Sequence, residues 1–437
     1  MTSQIKQQVE AFYDRLIYEY DYSLSHSGID GKRVAERLTA IAEIGMTEEG
    51  GCRRISFSQE EKEAKDLVKQ WMEEDGLEVT VDGAGNVFGR IEGQVEGPSI
   101  ISGSHLDSVM YGGHFDGPLG VVSALEVASA WKDSAEIPST PFEVVVFTDE
   151  EGARFNGGLL GSQSVAGELE IEEEKKRVDF NGTPFEEVIA NVGLTPKGFK
   201  EAKRDLSQVK AFVEVHIEQG KQLEKRNLPV GVVTGIAGPT WLKVTFTGVA
   251  GHAGNTPMND RIDALVAAGD FVMKVKELPP QVSNTGVATI GKLEVDPNGV
   301  NVIPGEVTLI VDIRDIKEEW KDEIAKLVIE SAHSVSKQHG TTVAIEESMN
   351  VPPVQVPEKM QKQALEAVQE TLGLEPFSLP SGAGHDAMIL GRYVPMAMLF
   401  TQSLDGVSHN PKEWSSLNDC VQTIHVLKRF VEKIGEE

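Results

Sequence analysis

The stretch PSIISGSHLDSVMYGGHFDGPLG, residues 98–120, decides how the rest of the chain is read. A short apolar run at Ile100 and Ile101 stops at Gly103 and Ser104, which predicts a buried strand ending there. His105 and Asp107 follow at once, and Asp116 stands beyond a glycine-rich turn. One imidazole and two carboxylates just past a strand end place nitrogen and oxygen ligands on rigid backbone, which suits a divalent metal. Gly112, Gly113 and Gly117 let the chain turn tightly about such a site. The same pattern also describes a polar loop that merely solvates, so the question is whether other segments bring further ligands.

The chain has 437 residues, beyond the roughly 250–300 at which one core stops growing, so two domains are expected. Hydrophobic residues make up 40% and charged residues 25%, a soluble globular composition. A net charge of −28 argues against a nucleic-acid or anionic-membrane partner. A small anionic substrate is not excluded, since it needs only a local positive group. Cys52 and Cys420 form no Cys-x-x-Cys pattern and read as free thiols of a cytoplasmic protein. No apolar run reaches the roughly 18 residues of a membrane span. Residues 1–23 lack the apolar core of a signal peptide. Their Ile5, Val9, Phe12, Leu16 and Ile17 are spaced for one face of an extra amphipathic helix.

Further candidates stand at predicted strand ends. Phe142–Phe147 is an apolar strand leading into Thr148-Asp149-Glu150-Glu151-Gly152. Of two adjacent glutamates there, one can bind metal while its neighbour takes a proton from water; alternatively they form a solvated acidic turn. Glu48-Glu49-Gly50 has no strand before it and is a decoy. Gly83-Ala84-Gly85-Asn86 is a hairpin turn rather than a dinucleotide loop, because a strand follows it. Residues 168–208 read as surface helices and loops. Lys210 to Gly220 shows period-two alternation and places His216 among acidic neighbours near a strand end. Ser378 to Met388 is a glycine-rich loop entering a helix with His385 and Asp386 at its start. Residues 401–414 carry His409 after another apolar strand.

The pattern changes between Gly238 and Pro239. From there to residue 349 the order is strand, helix (Arg261–Leu278), strand, strand, helix, strand, an α+β unit of ferredoxin-like type. The chain is therefore read as α/β, with a discontinuous catalytic domain (1–238 and 350–437) built on a central mixed, mostly parallel sheet flanked by helices. The inserted domain (239–349) is expected to act in dimerisation and as a lid.

Taken together, Gly103-Ser-His-Leu-Asp-Ser, Gly113-His-Phe-Asp-Gly, Phe147-Thr-Asp-Glu-Glu-Gly-Ala-Arg-Phe, Val215-His-Ile-Glu-Gln-Gly, Gly251-His-Ala-Gly-Asn-Thr-Pro-Met, Asn301-Val-Ile-Pro, Asp312-Ile-Arg-Asp, Ser381-Gly-Ala-Gly-His-Asp and Ser408-His-Asn-Pro resemble the M20-type dimetal amidase family, its hydantoinase and carbamoylase branch. The resemblance runs from about Gly31 to Phe430 and leaves the first residues out. It implies two divalent ions, zinc or else manganese, cobalt or nickel. His105 and His216 would hold one, Glu151 and His409 the other, and Asp116 would bridge them. It further implies Glu150 as general base, and Asp107 as the partner that orients His105. His252 would be the oxyanion donor, and Gln219, Asn301, Arg314, Gly384 and His385 would be substrate contacts. Arg314 has a plainer reading as a salt bridge to Asp312 or Asp315, and His252 as a loop histidine. His114 occupies a variable position of its motif and is read as a bystander near enough to compete as a ligand. The implied activity is hydrolysis of the carbamoyl amide of N-carbamoyl-L-amino acids by a homodimer. The alternatives are cleavage of allantoate and, further off, of N-carbamoyl-β-alanine or a peptide.

Overall fold

The computed structural model describes residues 2–436. It divides into two compact units: 1–234 with 356–379 and 385–437, and 235–355 with 380–384. The inserted unit thus begins a few residues before the Gly238–Pro239 change and takes in a five-residue strap at 380–384.

In the first unit the strands lie in the order Glu78–Val81, Val87–Ile91, Phe142–Phe147, Ser99–His105, Val209–Ile217, Met396–Thr401, Val230–Ile236. The four from Phe142–Phe147 to Met396–Thr401 are mutually parallel, and the flanking pairs are antiparallel. The strand Ser99–His105 is buried along its whole length. So is nearly all of Val209–Ile217, which corrects the expectation of alternating faces. Helices cover both sides of a parallel sheet, so its strands have no wet face.

The helix Pro118–Asp133 packs on this sheet and is buried on almost every side. Its start is set by Gly117 and Pro118. Gly117 has φ +80, and a Cβ there would lie 2.6 Å from the His105 imidazole. Only glycine meets both constraints. Residues 168–208 are less superficial than their charge suggests. Ile171, Phe185, Val188, Ile189, Phe199 and Ala202 form a separate core with Phe57, Phe155 and Leu160.

The second unit has the strand order Thr342–Asn350, Gly238–Thr247, Glu306–Asp315, Val287–Asp296, all antiparallel. Helices Ala264–Val275 and Glu318–His339 contribute Phe271, Ile324 and Val328 to a core with Val244, Phe246 and Leu309. The first of these helices is shorter than expected. Asp263 accepts from the Leu265 and Val266 N–H groups and opens the helix there, while Arg261 is turned back to the carbonyls of Ala253 and Thr256.

Candidate active site

Four parallel strands end on the same edge of the first unit's sheet, where ligands gather in open α/β sheets. His105 pairs with Phe147, and His216 with Phe400, so the segments following these strands emerge side by side. Two groups of ligand-type atoms converge there. Those of His105, Asp116 and His216 lie within 4.8 Å of one another, as do those of Asp116, Glu151 and His409.

Asp116 belongs to both groups. Its Oδ1 lies 3.5 Å from His105 Nε2 and 3.2 Å from His216 Nε2. Its Oδ2 lies 3.3 Å from His409 Nε2, which is 3.4 Å from Glu151 Oε2. The other ring nitrogens of two histidines are already engaged. His105 Nδ1 donates to the Asp107 carbonyl at 3.0 Å, and His216 Nδ1 to the Ile217 carbonyl at 3.0 Å. That leaves each Nε2 as the metal-facing atom, the arrangement that fixed tautomers give in metal sites. Glu150 Oε2 stands 3.6 Å from His105 Nε2.

A cation fits this cluster on chemical grounds. His105 Nε2 is fully buried and, among the described residues, has no hydrogen-bond partner. Glu150 is pushed well above the ordinary carboxyl range by burial, with Glu151, Asp386 and Asp116 adding to the effect and His105 opposing it. Glu151 is pushed up to about 8 by burial and by Asp116. His105 rises well above its usual value although burial opposes this, because Glu150, Asp107 and Asp116 surround it. Protons balance the charges when no cation does. Two divalent charges would release those protons, leaving neutral imidazoles and ionised carboxylates.

Three of the expected residues make further contacts in the structure. The Asp107 carboxylate stands 3.6 Å from His105 Nδ1, and its two oxygens instead accept from the Glu150 and Glu151 N–H groups, both at 3.2 Å. Asp107 therefore holds the glutamate turn with its carboxylate and engages His105 through its carbonyl. Gln219 turns inward and donates to Asp116 Oδ2 at 2.7 Å. His385 is buried, with its ring 4.5 Å from that of His216. His114 is no rival ligand: its Nε2 donates to the Gly50 carbonyl and its ring packs against Phe12.

Two carboxylates were not singled out from sequence. Glu413 Oε1 accepts from the Phe115 and Asp116 N–H groups at 2.9 and 3.1 Å. Ser408 Oγ lies 2.8 Å from Glu413 Oε2 and 2.8 Å from Asp116 Oδ2. One hydroxyl proton serves one of these contacts. Glu413, raised to about 7 by burial and by Asp116, is the carboxyl able to hold a proton for the other. A Cβ on Gly113 would stand 2.2 Å from Glu413 Oε1, so the glycine makes room for this contact. Glu214 ties Ser104 Oγ to the Ala387 N–H at the start of the short helix Asp386–Leu390. A charged residue inside an otherwise apolar strand was the available signal for Glu214; no local pattern marks Glu413.

The remaining expected residues, His252, Asn301, Arg314 and Gly384, belong to the second unit. His252 Nδ1 accepts from the Gly254 and Asn255 N–H groups, both at 3.1 Å, so the neutral ring carries its proton on Nε2. The Asn301 carbonyl accepts from the Ala253 N–H beside it. Arg314 makes the salt bridge its plainer reading offered, through Nε and Nη2 to the two oxygens of Asp312. Nη1 donates to the Gly382 carbonyl. Of five guanidinium N–H groups, two are left for a further acceptor.

Such a donor set on such a sheet belongs to metal-dependent hydrolases. The chain is a member of the peptidase family M20/M25/M40, whose model matches residues 99–433. It is 43% identical to N-carbamoyl-L-amino acid amidohydrolase of Geobacillus stearothermophilus, over 93% of this chain and 99% of that protein. It is 34% identical to allantoate amidohydrolase of Bacillus subtilis, over 92% and 97% of the two chains. A crystal structure of a hydantoinase/carbamoylase family amidase from Burkholderia multivorans matches with a TM-score of 0.87 at 34% identity, covering 94% of this chain and 98% of that one.

Proposed function

We propose that this protein hydrolyses the carbamoyl amide of N-carbamoyl-L-amino acids, releasing the L-amino acid, carbon dioxide and ammonia. The observation that carries the reading is Asp116, with one oxygen facing two histidines and the other facing a third. The 43% identity to a carbamoyl-cleaving relative supports the substrate class. A second reading, cleavage of allantoate, has the 34% identical relative behind it.

In this reading His105 and His216 would hold one divalent ion and Glu151 and His409 the other, with Asp116 shared between the two groups. Zinc, manganese, cobalt and nickel all suit such donors. The ions would supply Lewis acidity and a bound water acidic enough to ionise near neutral pH. Glu150 would take a proton from the attacking water and return it to the departing nitrogen. His252 donates from Nε2 to the oxygen that gains charge at the carbamoyl carbon. Arg314, pre-oriented by Asp312, offers its two free N–H groups to the substrate carboxylate. Asn301 and Gly384 are assigned to the substrate. The carbamate that leaves decomposes to carbon dioxide and ammonia. We further infer a homodimer through the inserted unit, and a cytoplasmic location consistent with two buried, unpaired cysteines. Among the described residues, no helix is long and apolar enough to cross a membrane.

The test is ammonia release from N-carbamoyl-L-amino acids, N-carbamoyl-β-alanine and allantoate after loading with each metal in turn. Preference for the L-carbamoyl acids is expected. Preference for allantoate selects the second reading, and no release from any of them defeats both. Arg314→Lys is expected to raise KM for carboxylate substrates and to leave an ester analogue little changed. Equal damage to both would remove the carboxylate grip.

A further inference from the structure

The segment before Gly31 lies outside the family resemblance, yet it is folded against the candidate site's supports. Helix Ser3–Tyr18 buries Phe12 and Leu16 on one face. The Phe12 ring lies 4.9 Å from His114, 5.7 Å from Phe115 and 5.6 Å from Trp414. Phe115 and Trp414 themselves meet at 5.3 Å. One turn further on, the Arg15 guanidinium sits over the Trp414 ring at 3.7 Å from its centroid. Residues three apart share a helix face, so one stripe grips three aromatic rings.

Those rings are neighbours of the chemistry. Phe115 precedes Asp116. Trp414 follows Glu413, whose carboxyl receives the Phe115 and Asp116 N–H groups. The two loops are remote in sequence and join at this contact. The helix is also tied down at both ends. Gln4 and Gln8 donate to the Glu48 carbonyl, and Asn418 accepts from the Asp21 N–H and donates to the Glu19 carbonyl. Gly112 and Cys52 exchange backbone hydrogen bonds, linking the Glu48 loop to the glycine turn before Asp116.

His105 and His216 sit on buried strands and have rigid support of their own. His409 does not: it lies on a loop with φ +52, and its side chain is 50% exposed. Its placement depends on the loop that Trp414 anchors.

We propose that helix Ser3–Tyr18 is a brace for the two loops carrying Asp116 and His409, with Phe12 and Arg15 as positioning residues that hold the ion assigned to Asp116, Glu151 and His409. This rests on the two-ion reading above and adds a role for residues outside the family pattern. Loosening the brace acts on the loop-held ion and spares the strand-held one.

The experiment measures metal content of the full-length protein by mass spectrometry during timed dialysis against a chelator. Wild type, Arg15→Ala, Phe12→Leu and Phe12→Ala/Arg15→Ala are compared, with Met72→Ala as control. Met72, on the helix Gln59–Glu74, is fully buried against Gly89 of the strand Val87–Ile91, and its loss lowers stability without touching the brace. The brace variants are expected to lose one ion of two about tenfold faster than wild type and to keep the other. Phe12→Leu should fall between, and Met72→Ala should lose both ions at wild-type rates. Arg15 is exposed, so Arg15→Ala tests the idea even if the double variant does not fold. Wild-type loss rates in brace variants with a lowered melting temperature would make the helix merely structural and overturn the proposal. Accelerated loss in Met72→Ala to the same degree would overturn it too. Wild-type protein that binds fewer than two ions would instead defeat the two-ion reading itself, and this is visible before any variant is made.

Discussion

Glu150 and Glu151 are adjacent, but their surroundings separate their tasks. Glu151 faces His409, whereas Glu150 faces His105 and is crowded by three carboxyls. Glu150→Gln keeps shape and volume and removes the proton acceptor. It is expected to retain metal and lose about 10²–10⁴-fold in kcat. Metal content and turnover on the same sample check this, and an active variant would end the base assignment. His114 supplies a pH prediction of a different kind. Burial drives its pKa from 6.5 down to about 4, so the folded state holds the ring neutral. The unfolded chain binds the proton first as pH falls, so the contribution is present above pH 6.5 and is lost as pH drops towards 4. A shift of that size corresponds to about 3 kcal/mol. His114→Phe should lose less stability than wild type between pH 7.5 and pH 4.5 in denaturant titrations. Parallel curves would show that the ring is not held neutral.

At the scale of elements, the parallel strands were legible because each is an apolar run closed by polar residues. Segment 168–208 was not, because its apolar residues are few and scattered among charges. Their partners, Phe57, Phe155 and Leu160, lie outside it. Phe185 is the centre of that cluster, with ring neighbours Phe155 at 5.2 Å, Phe199 at 5.9 Å and Phe57 at 6.2 Å. Phe185→Ala should cost about 3–5 kcal/mol. A change below 1 kcal/mol in urea unfolding would mean that the segment is superficial after all. The same contrast explains the helix Ala264–Val275. Its apolar spacing is visible over a longer stretch, but Asp263 chooses where the helix starts.

For the whole molecule, the metal cluster couples stability to ligand. Asp107, Asp116, Glu150, Glu151 and Asp386 are drawn together near one edge of one sheet, and cations favour only the state that assembles them. A site filled at a thousand times its Kd adds about 4 kcal/mol. Chelation should therefore lower the melting temperature, and zinc or manganese should restore it. An unchanged melting temperature would separate the cluster from metal binding. Order along the chain was enough to mark the apolar strands, the ligand-type residues His105, Asp116, Glu150, Glu151, His216 and His409 that follow or close them, and a change of pattern near Gly238, because hydrophobic period and turn residues are local signals. Folding in three dimensions settled the rest. It sent the Asp107 carboxylate to the glutamate turn, turned Gln219 onto Asp116, buried His385, and brought Glu413 and the N-terminal helix beneath the Asp116 loop. Those outcomes depend on hydrogen bonds and ring contacts a few ångströms long between segments up to hundreds of residues apart, and no periodicity within a segment encodes which distant partner it will meet.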